Sequence, residues 1–190
     1  MPVKIRNMKT LINTTLCYIE KDGCYLMLHR TKKENDYNKD KWIGIGGKFE
    51  NGESPEDCAV REVREETGLI VEPAELEYCG IVTFVDKSEP PVVECPRSGC
   101  IETTSAYYTE FMHIFRARKF GGALKSDCDE GELEWVPLAK LKELPHWQAD
   151  EIFYDFLEQN HPFYSLKAVY KNNRLIETWL NGAPYNHFGG

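Results

Sequence analysis

The chain has 190 residues, with 31 acidic against 23 basic side chains, a formal net charge of −8 and a pI near 5.2. This balance argues against a broad basic face for gripping nucleic acid, since neutralising phosphates with Lys and Arg supplies most of that affinity, and no stable nucleic-acid partner is expected. Hydrophobic residues at 42% suffice for a packed core, no apolar run approaches the roughly 20 residues that cross a bilayer, and the Met-Pro-Val-Lys-Ile-Arg start lacks a signal-peptide stretch, so a soluble cytoplasmic protein of one domain over 1–190 is expected.

Residues 10–20 and 24–30 are β-rich runs separated by Lys21-Asp22-Gly23, an Asp-Gly turn signal that predicts a hairpin. The polar stretch Thr31–Lys41 reads as a loop, and a short apolar piece from Trp42 ends in three glycines among residues 44–47. A helix follows, with Ser54 as N-cap, Pro55 at the first position, Asp57 at the capping-box position and Gly68 as the stop. Leu76–Val85 and Tyr107–Arg116 read as strands, with a long loop over 87–105 between them. Leu133–Val136 reads as a short strand, Trp147–Gln159 as a helix with Ile152, Phe153, Phe156 and Leu157 on its apolar side, and 163–180 as a hairpin turning at Asn172-Asn173. Seven cysteines at irregular spacing, several inside apolar segments (Cys17, Cys58, Cys79), read as small buried hydrophobes in a reducing compartment.

The negative charge is concentrated. Glu50 to Glu72 carries eight carboxylates against two arginines, and Asp127 to Glu134 carries five with no base, whereas residues 1–49 have ten basic and five acidic side chains. Glu62, Glu65 and Glu66 stand at i, i+3 and i+4 of the capped helix, which puts three like charges on one face within a turn and a half. That costs helix stability unless a divalent cation neutralises it, and hard oxygen ligands in this number suit Mg²⁺ or Mn²⁺. The bland alternative is a solvated acidic face. Ala59, Val60 and Val63 give the helix a core side, so the carboxylates occupy a defined remaining face.

Gly47, Glu53 and the run Arg61-Glu62-Val63-Arg64-Glu65-Glu66-Thr67-Gly68-Leu69 fill the signature spacing of the Nudix hydrolases, which this chain resembles. The resemblance implies an α/β fold, an α/β/α sandwich with a mixed sheet and a loop–helix–loop metal site, and cleavage of a nucleoside diphosphate linked to another group. It implies metal ligands at Glu62, Glu65 and Glu66 and at the main-chain carbonyl of Gly46, with Mg²⁺ as cofactor and Mn²⁺ as a substitute. Metal at such a site polarises the diphosphate and acidifies the attacking water. Glu53 and Arg61 read as a structural pair, a guanidinium fork on a carboxylate that braces loop against helix. The general base is one of the three glutamates or a carboxylate from another loop; Glu130 stands where relatives carry one, with Asp129 as the nearest competitor and a merely solvated loop as the alternative.

Outside that box, Trp42-Ile43-Gly44-Ile45-Gly46-Gly47-Lys48, Leu144-Pro145-His146-Trp147-Gln148-Ala149-Asp150 and Pro162-Phe163-Tyr164-Ser165-Leu166 are similar to the MutT-like 8-oxo-dGTP diphosphatases, over about residues 9–181. That resemblance implies purine stacking on Trp147 and hydrogen bonding of the base edge by Asp150, against core roles for Trp147 and Phe153. Arg30 and Lys48 fall where a cation meets phosphate, with plain surface charge the alternative for Arg30. Relatives of vertebrate type carry Asn where this chain has Ile43 and Asp where it has Ala149, so two base-reading groups are missing. The 87–105 loop resembles an insertion, and its Cys95 and Cys100 make a weak zinc signal because four ligands are needed. The expected activity is a metal-dependent pyrophosphohydrolase that sanitises oxidised purine nucleoside triphosphates such as 8-oxo-dGTP to the monophosphate and pyrophosphate. The alternatives are a Nudix hydrolase of a dinucleoside polyphosphate, nucleotide sugar or capped 5′ RNA, and a nucleotide-binding sensor without turnover, which would have no need of the glutamate triad.

Overall fold

The computed structural model describes residues 11–34, 36–88, 93–94, 101–102 and 108–188. Strands β1 (Leu11–Lys21) and β2 (Cys24–His29) fold back on each other at Asp22-Gly23. Both turn residues have positive φ, 50° and 73°, which a two-residue turn needs in order to follow the twist of its strands. After the loop, β3 (Trp42–Ile43) pairs with β2, and α1 (Pro55–Thr67) begins. The Ser54 hydroxyl accepts from the Asp57 N–H while the Asp57 carboxylate accepts from the Ser54 N–H, so two orphan donors of the first turn are satisfied. Gly68 stops the helix at φ 76°, with its N–H on the Arg64 carbonyl.

The remaining elements are β4 (Leu69–Ile70), β5 (Leu76–Asp86), β6 (Val93–Glu94), β7 (Ile101–Glu102), β8 (Tyr108–Ala117), β9 (Gly121–Gly122), β10 (Glu132–Pro137), α2 (Asp150–Glu158), β11 (Tyr164–Lys171), β12 (Arg174–Leu180) and β13 (Ala183–Pro184). The main sheet runs β10-β2-β1-β8-β5-β11-β12-β13. It is mixed: β1 runs parallel to β8 and β5 parallel to β11, while the other neighbours are antiparallel. Ala59 and Val63 of α1 pack on one face against Cys17, Ile19 and Phe115. On the other face, Ile152, Phe153, Phe156 and Leu157 of α2 pack against Tyr18, Val82, Ile114 and Leu166. Burying a side chain such as Val63 contributes about 1.5–3 kcal/mol, so α1 is held by its core side and its carboxylates are carried on the rest. Cys17, Cys58 and Cys79 are buried free thiols.

Two segments differ from the sequence reading. The second helix starts at Asp150, three residues later than expected. The Asp150 N–H donates to the Trp147 carbonyl at 2.8 Å and its carboxylate accepts the Trp147 N–H at 3.1 Å, so residues 147–149 form an entry turn and Trp147 precedes the helix. Within 87–105, Val93–Glu94 pairs antiparallel with Ile101–Glu102. Cys95 and Cys100 lie outside the described residues.

Candidate active site

A cavity of about 900 Å³ opens between the glycine-rich loop, α1, the start of β8 and the segment ahead of α2. Its charged end is built from contiguous sequence. Ile45 exchanges main-chain hydrogen bonds with Cys17 of β1, and the Gly47 carbonyl accepts the Thr15 N–H. The alternation of an antiparallel bridge turns the main-chain groups of Gly46 away from β1, and its N–H donates to Glu66 Oε2 at 3.1 Å. A Cβ on Gly47 would fall 2.4 Å from Glu62 Oε1, so only glycine lets that carboxylate lie over the loop.

Glu62 and Glu66 line this cavity, but Glu65 does not. At about 100° per residue, Glu66 lies about 40° from Glu62 around the helix and Glu65 about 60° the other way. The three carboxylates therefore split: Glu62 and Glu66 are sheltered, with Glu62 14% exposed at its side chain and Glu66 7% exposed, while Glu65 is 61% exposed at its side chain. Arg61 reaches both Glu62 (2.8 Å) and Glu65 (3.1 Å). It also grips Glu53 in a fork, Nε to Oε1 at 2.6 Å and Nη2 to Oε2 at 2.9 Å, and donates to the Lys48 carbonyl. The guanidinium holds the Glu53 carboxyl down to about 2.

Burial, then the Glu62 charge beside it, pushes the Glu66 carboxyl up to about 7 despite the Gly46 N–H. Glu62, with Arg61 as its cation, and Glu66, which accepts the Gly46 N–H, lie side by side in the cavity wall and make a hard-oxygen corner whose chemistry suits a divalent cation. Among the described residues no three Asp, Glu, His or Cys side chains already surround a common point. The reason is visible: Glu65 is turned to Arg61, and Glu130 is held by Arg30 and Lys33. The donor set fits a divalent ion in its chemistry: Gly46, Glu62, Glu66 and Glu130 line the cavity, while Glu65 lies outside it.

Arg30 is not an exposed surface charge. Its side chain is 11% exposed and bridges Asp36 (2.6 Å) and Glu130. Asp36 in turn accepts the Asn38 N–H at 3.0 Å, which folds the loop as an Asx turn. Lys48 is exposed at the cavity rim.

The other end of the cavity is aromatic and gathered from distant segments. Trp147 stacks on Tyr37 (centroids 4.9 Å apart, planes at 20°), meets Phe84 and Tyr170 edge-on, and lies under the Lys41 ammonium at 4.5 Å. Its indole N–H donates to Asn38 Oδ1 at 2.8 Å. Asp150 is buried at the start of α2, and burial pushes its carboxyl up to about 8, so it is mostly protonated at neutral pH. Tyr37, Asn38, Phe84 and Tyr170 escape a reading of the sequence, since only strand register and the loop's hydrogen bonds bring them to Trp147. The apolar alternation of β5 is the one sequence signal, and it bears on Phe84 alone. Phe153 lines the cavity floor and belongs to the core.

Residues 11–157 match the NUDIX domain family. The chain is 29% identical over 150 residues to the uncharacterized Nudix hydrolase YvcI of Bacillus subtilis, covering 79% of this chain and 81% of that one. It is 28% identical to the oxidized purine nucleoside triphosphate hydrolase of Danio rerio (78% and 83% covered) and 30% identical to the ADP-ribose pyrophosphatase of Methanocaldococcus jannaschii (73% and 69%). The fold is similar to that of the mutator MutT protein of Bacillus halodurans, with a TM-score of 0.71 at 24% identity, over 91% of this chain and 99% of that one. With that match across most of its length and this constellation at its carboxylate end, the chain belongs to the NUDIX family and is a Nudix hydrolase.

Proposed function

We propose that this Nudix hydrolase is a Mg²⁺-dependent pyrophosphohydrolase, Mn²⁺ substituting, that converts purine nucleoside triphosphates, oxidised ones such as 8-oxo-dGTP included, to the monophosphate and pyrophosphate. The observation that carries this reading is the continuity of one cavity from the Glu62–Glu66 corner to the Trp147 wall. A triphosphate laid along it meets carboxylates and cations at one end and aromatic rings at the other. Stacking on such rings is worth about 1–3 kcal/mol per base. The kinship with oxidized purine nucleoside triphosphate hydrolases of Danio rerio and, at 27% identity, Mus musculus points the same way.

Glu62, Glu66 and the Gly46 carbonyl would hold the ion, with Glu65 and Glu130 as the further carboxylates available to it. When bound, the ion neutralises charge developing on phosphoryl oxygens and acidifies the attacking water. Arg61, anchored on Glu53, fixes the helix against the glycine loop, and Lys48 and Arg30 supply positive charge to the phosphates. A carboxylate, Glu66 or Glu130, takes the water proton. Trp147 carries the base, and the protonated Asp150 carboxyl offers it a donor.

A second reading, a nucleotide-sugar hydrolase, draws on the ADP-ribose pyrophosphatase relative and on Ile43 and Ala149 being apolar where base-reading groups stand in the MutT-like group. One experiment separates the two: turnover of 8-oxo-dGTP, dGTP, ADP-ribose and diadenosine polyphosphates with products identified. The proposal expects triphosphates to give monophosphate and pyrophosphate at the highest kcat/KM. Preferential cleavage of ADP-ribose, with the triphosphates inert, would overturn it.

A further inference from the structure

The aromatic end of the cavity contains a third carboxylate that neither the sequence signature nor the metal corner accounts for. Glu110 sits on β8 with its Cα opposite Phe84 of β5 and Ile12 of β1, and it lines the cavity together with Thr14, Phe84, Tyr108 and Trp147. Each of its oxygens is fixed by a hydroxyl: Thr14 Oγ1 donates to Oε1 at 2.6 Å and Tyr108 OH donates to Oε2 at 2.6 Å. Among the described residues no Lys, Arg or His side chain pairs with it. The carboxylate is half-buried and is held by two neutral donors beside aromatic rings.

An ionised carboxylate offers about four acceptor positions. Two are used by the hydroxyls, leaving one on each oxygen, which is the arrangement that takes two parallel N–H donors. The other acidic groups at this end are engaged. Asp86 accepts from the Tyr37 hydroxyl and from the Ser88 N–H and hydroxyl, and Asp150 accepts the Trp147 N–H.

We propose that Glu110 is the specificity-determining residue of the base end, its two oxygens accepting paired N–H groups from the edge of a guanine-type base. The inference rests on the nucleotide reading above and sharpens it. Guanine and 8-oxoguanine both present an imino N–H beside a 2-amino group on that edge. Adenine presents an amino group beside an acceptor, and hypoxanthine lacks the 2-amino group. Glu110 therefore reads the guanine edge and is blind to oxidation at C8.

The test uses the full chain and compares dGTP with dITP, which differ only in the 2-amino group, in wild type, Glu110→Gln and Glu110→Met. A site built to accept a donor rejects the analogue lacking it, so wild type should favour dGTP over dITP by about tenfold or more in kcat/KM. Both variants should bring that ratio close to one, chiefly by raising the KM for dGTP. Thermal melting of the same samples reports folding, and the wild-type ratio stands whether or not a variant folds. A wild-type ratio near one overturns the proposal, as does a uniform loss on both substrates in folded variants. If wild type cleaves no purine triphosphate, the functional reading falls and this inference with it; purine cleavage with an unchanged ratio in the variants removes this inference alone.

Discussion

The two ends of the cavity are made in different ways. The carboxylate end comes mainly from a continuous stretch, Gly46 to Glu66, in which one helix and one loop fix each other through the Arg61–Glu53 fork, with Arg30, Lys33 and Glu130 joining it from distant segments. The aromatic end draws Tyr37, Phe84, Tyr108, Glu110, Trp147 and Tyr170 from a loop, three strands and a helix entry. On the proposed function, local sequence would specify where phosphate chemistry takes place, and long-range packing what is attached to the phosphates. The first can stay fixed while the second varies.

Substitutions should separate the ends. Glu66→Gln keeps volume and removes a charge that acts on the developing transition state, so kcat should fall by about 10²–10³-fold or more for every base alike, measured by steady-state kinetics at saturating Mg²⁺. Equal rates would break the assignment of Glu66 to the reaction. Trp147→Ala should raise KM for purine substrates about 10- to 100-fold with a smaller change in kcat; an unchanged KM removes the stacking role. Arg30 touches both ends, through Asp36 to the loop of Tyr37 and through Glu130 to the metal corner. Arg30→Ala leaves Asp36 without its cation and Glu130 with Lys33 alone, and should cost about 1–3 kcal/mol in urea unfolding. It should also move kcat and KM together, unlike the other two variants.

Asp150 yields a pH signature. Its folded value, about 8, lies above the ordinary carboxyl value of about 3.9. The folded state thus binds more protons between these values, and this group's contribution to stability is full below about pH 4 and lost as pH rises through 8, at no more than about 1.4 kcal/mol per pH unit. Asp150→Asn, which still accepts the Trp147 N–H, should melt like wild type at pH 4 and above it at pH 8. Parallel melting curves across that range would show the carboxyl to be ionised in the fold. The smallest effect is expected at Ser54→Ala, about 1 kcal/mol of helix stability, with base preference untouched.

Much of this was legible in the chain itself. Asp22-Gly23 and Asn172-Asn173 name turns that only positive φ permits, and Ser54, Pro55, Asp57 and Gly68 mark both ends of α1. All of these signals act within a few residues. What the sequence obscured is non-local or angular. Spacing put Glu62, Glu65 and Glu66 on one face, but the helix turn divides them at the cavity rim, and Arg61 takes the outer one. Trp147 reads as helical because apolar residues continue the period behind it, whereas the helix starts three residues later, where Asp150 reaches back to accept the Trp147 N–H. Arg30 looks like a solvated charge until the loop and Asp127–Glu134 fold together around it. Tyr37 and Glu110 have no motif, because a loop fold and a strand register place them.

The parallel pairing of β1 with β8 also bears on synthesis. Leu11–Ile19 is matched to Thr109–Ala117, so Cys17, Tyr18 and Ile19, which have no exposure in the finished protein, wait on the ribosome for a neighbour made some hundred residues later. The hairpin and the helix bearing the glutamates emerge first, with a long β-rich edge unsatisfied. A nascent chain released before residue 117 would carry the whole hydrolase signature and no closed sheet, making such fragments substrates for chaperones and proteases well before they could act on a nucleotide.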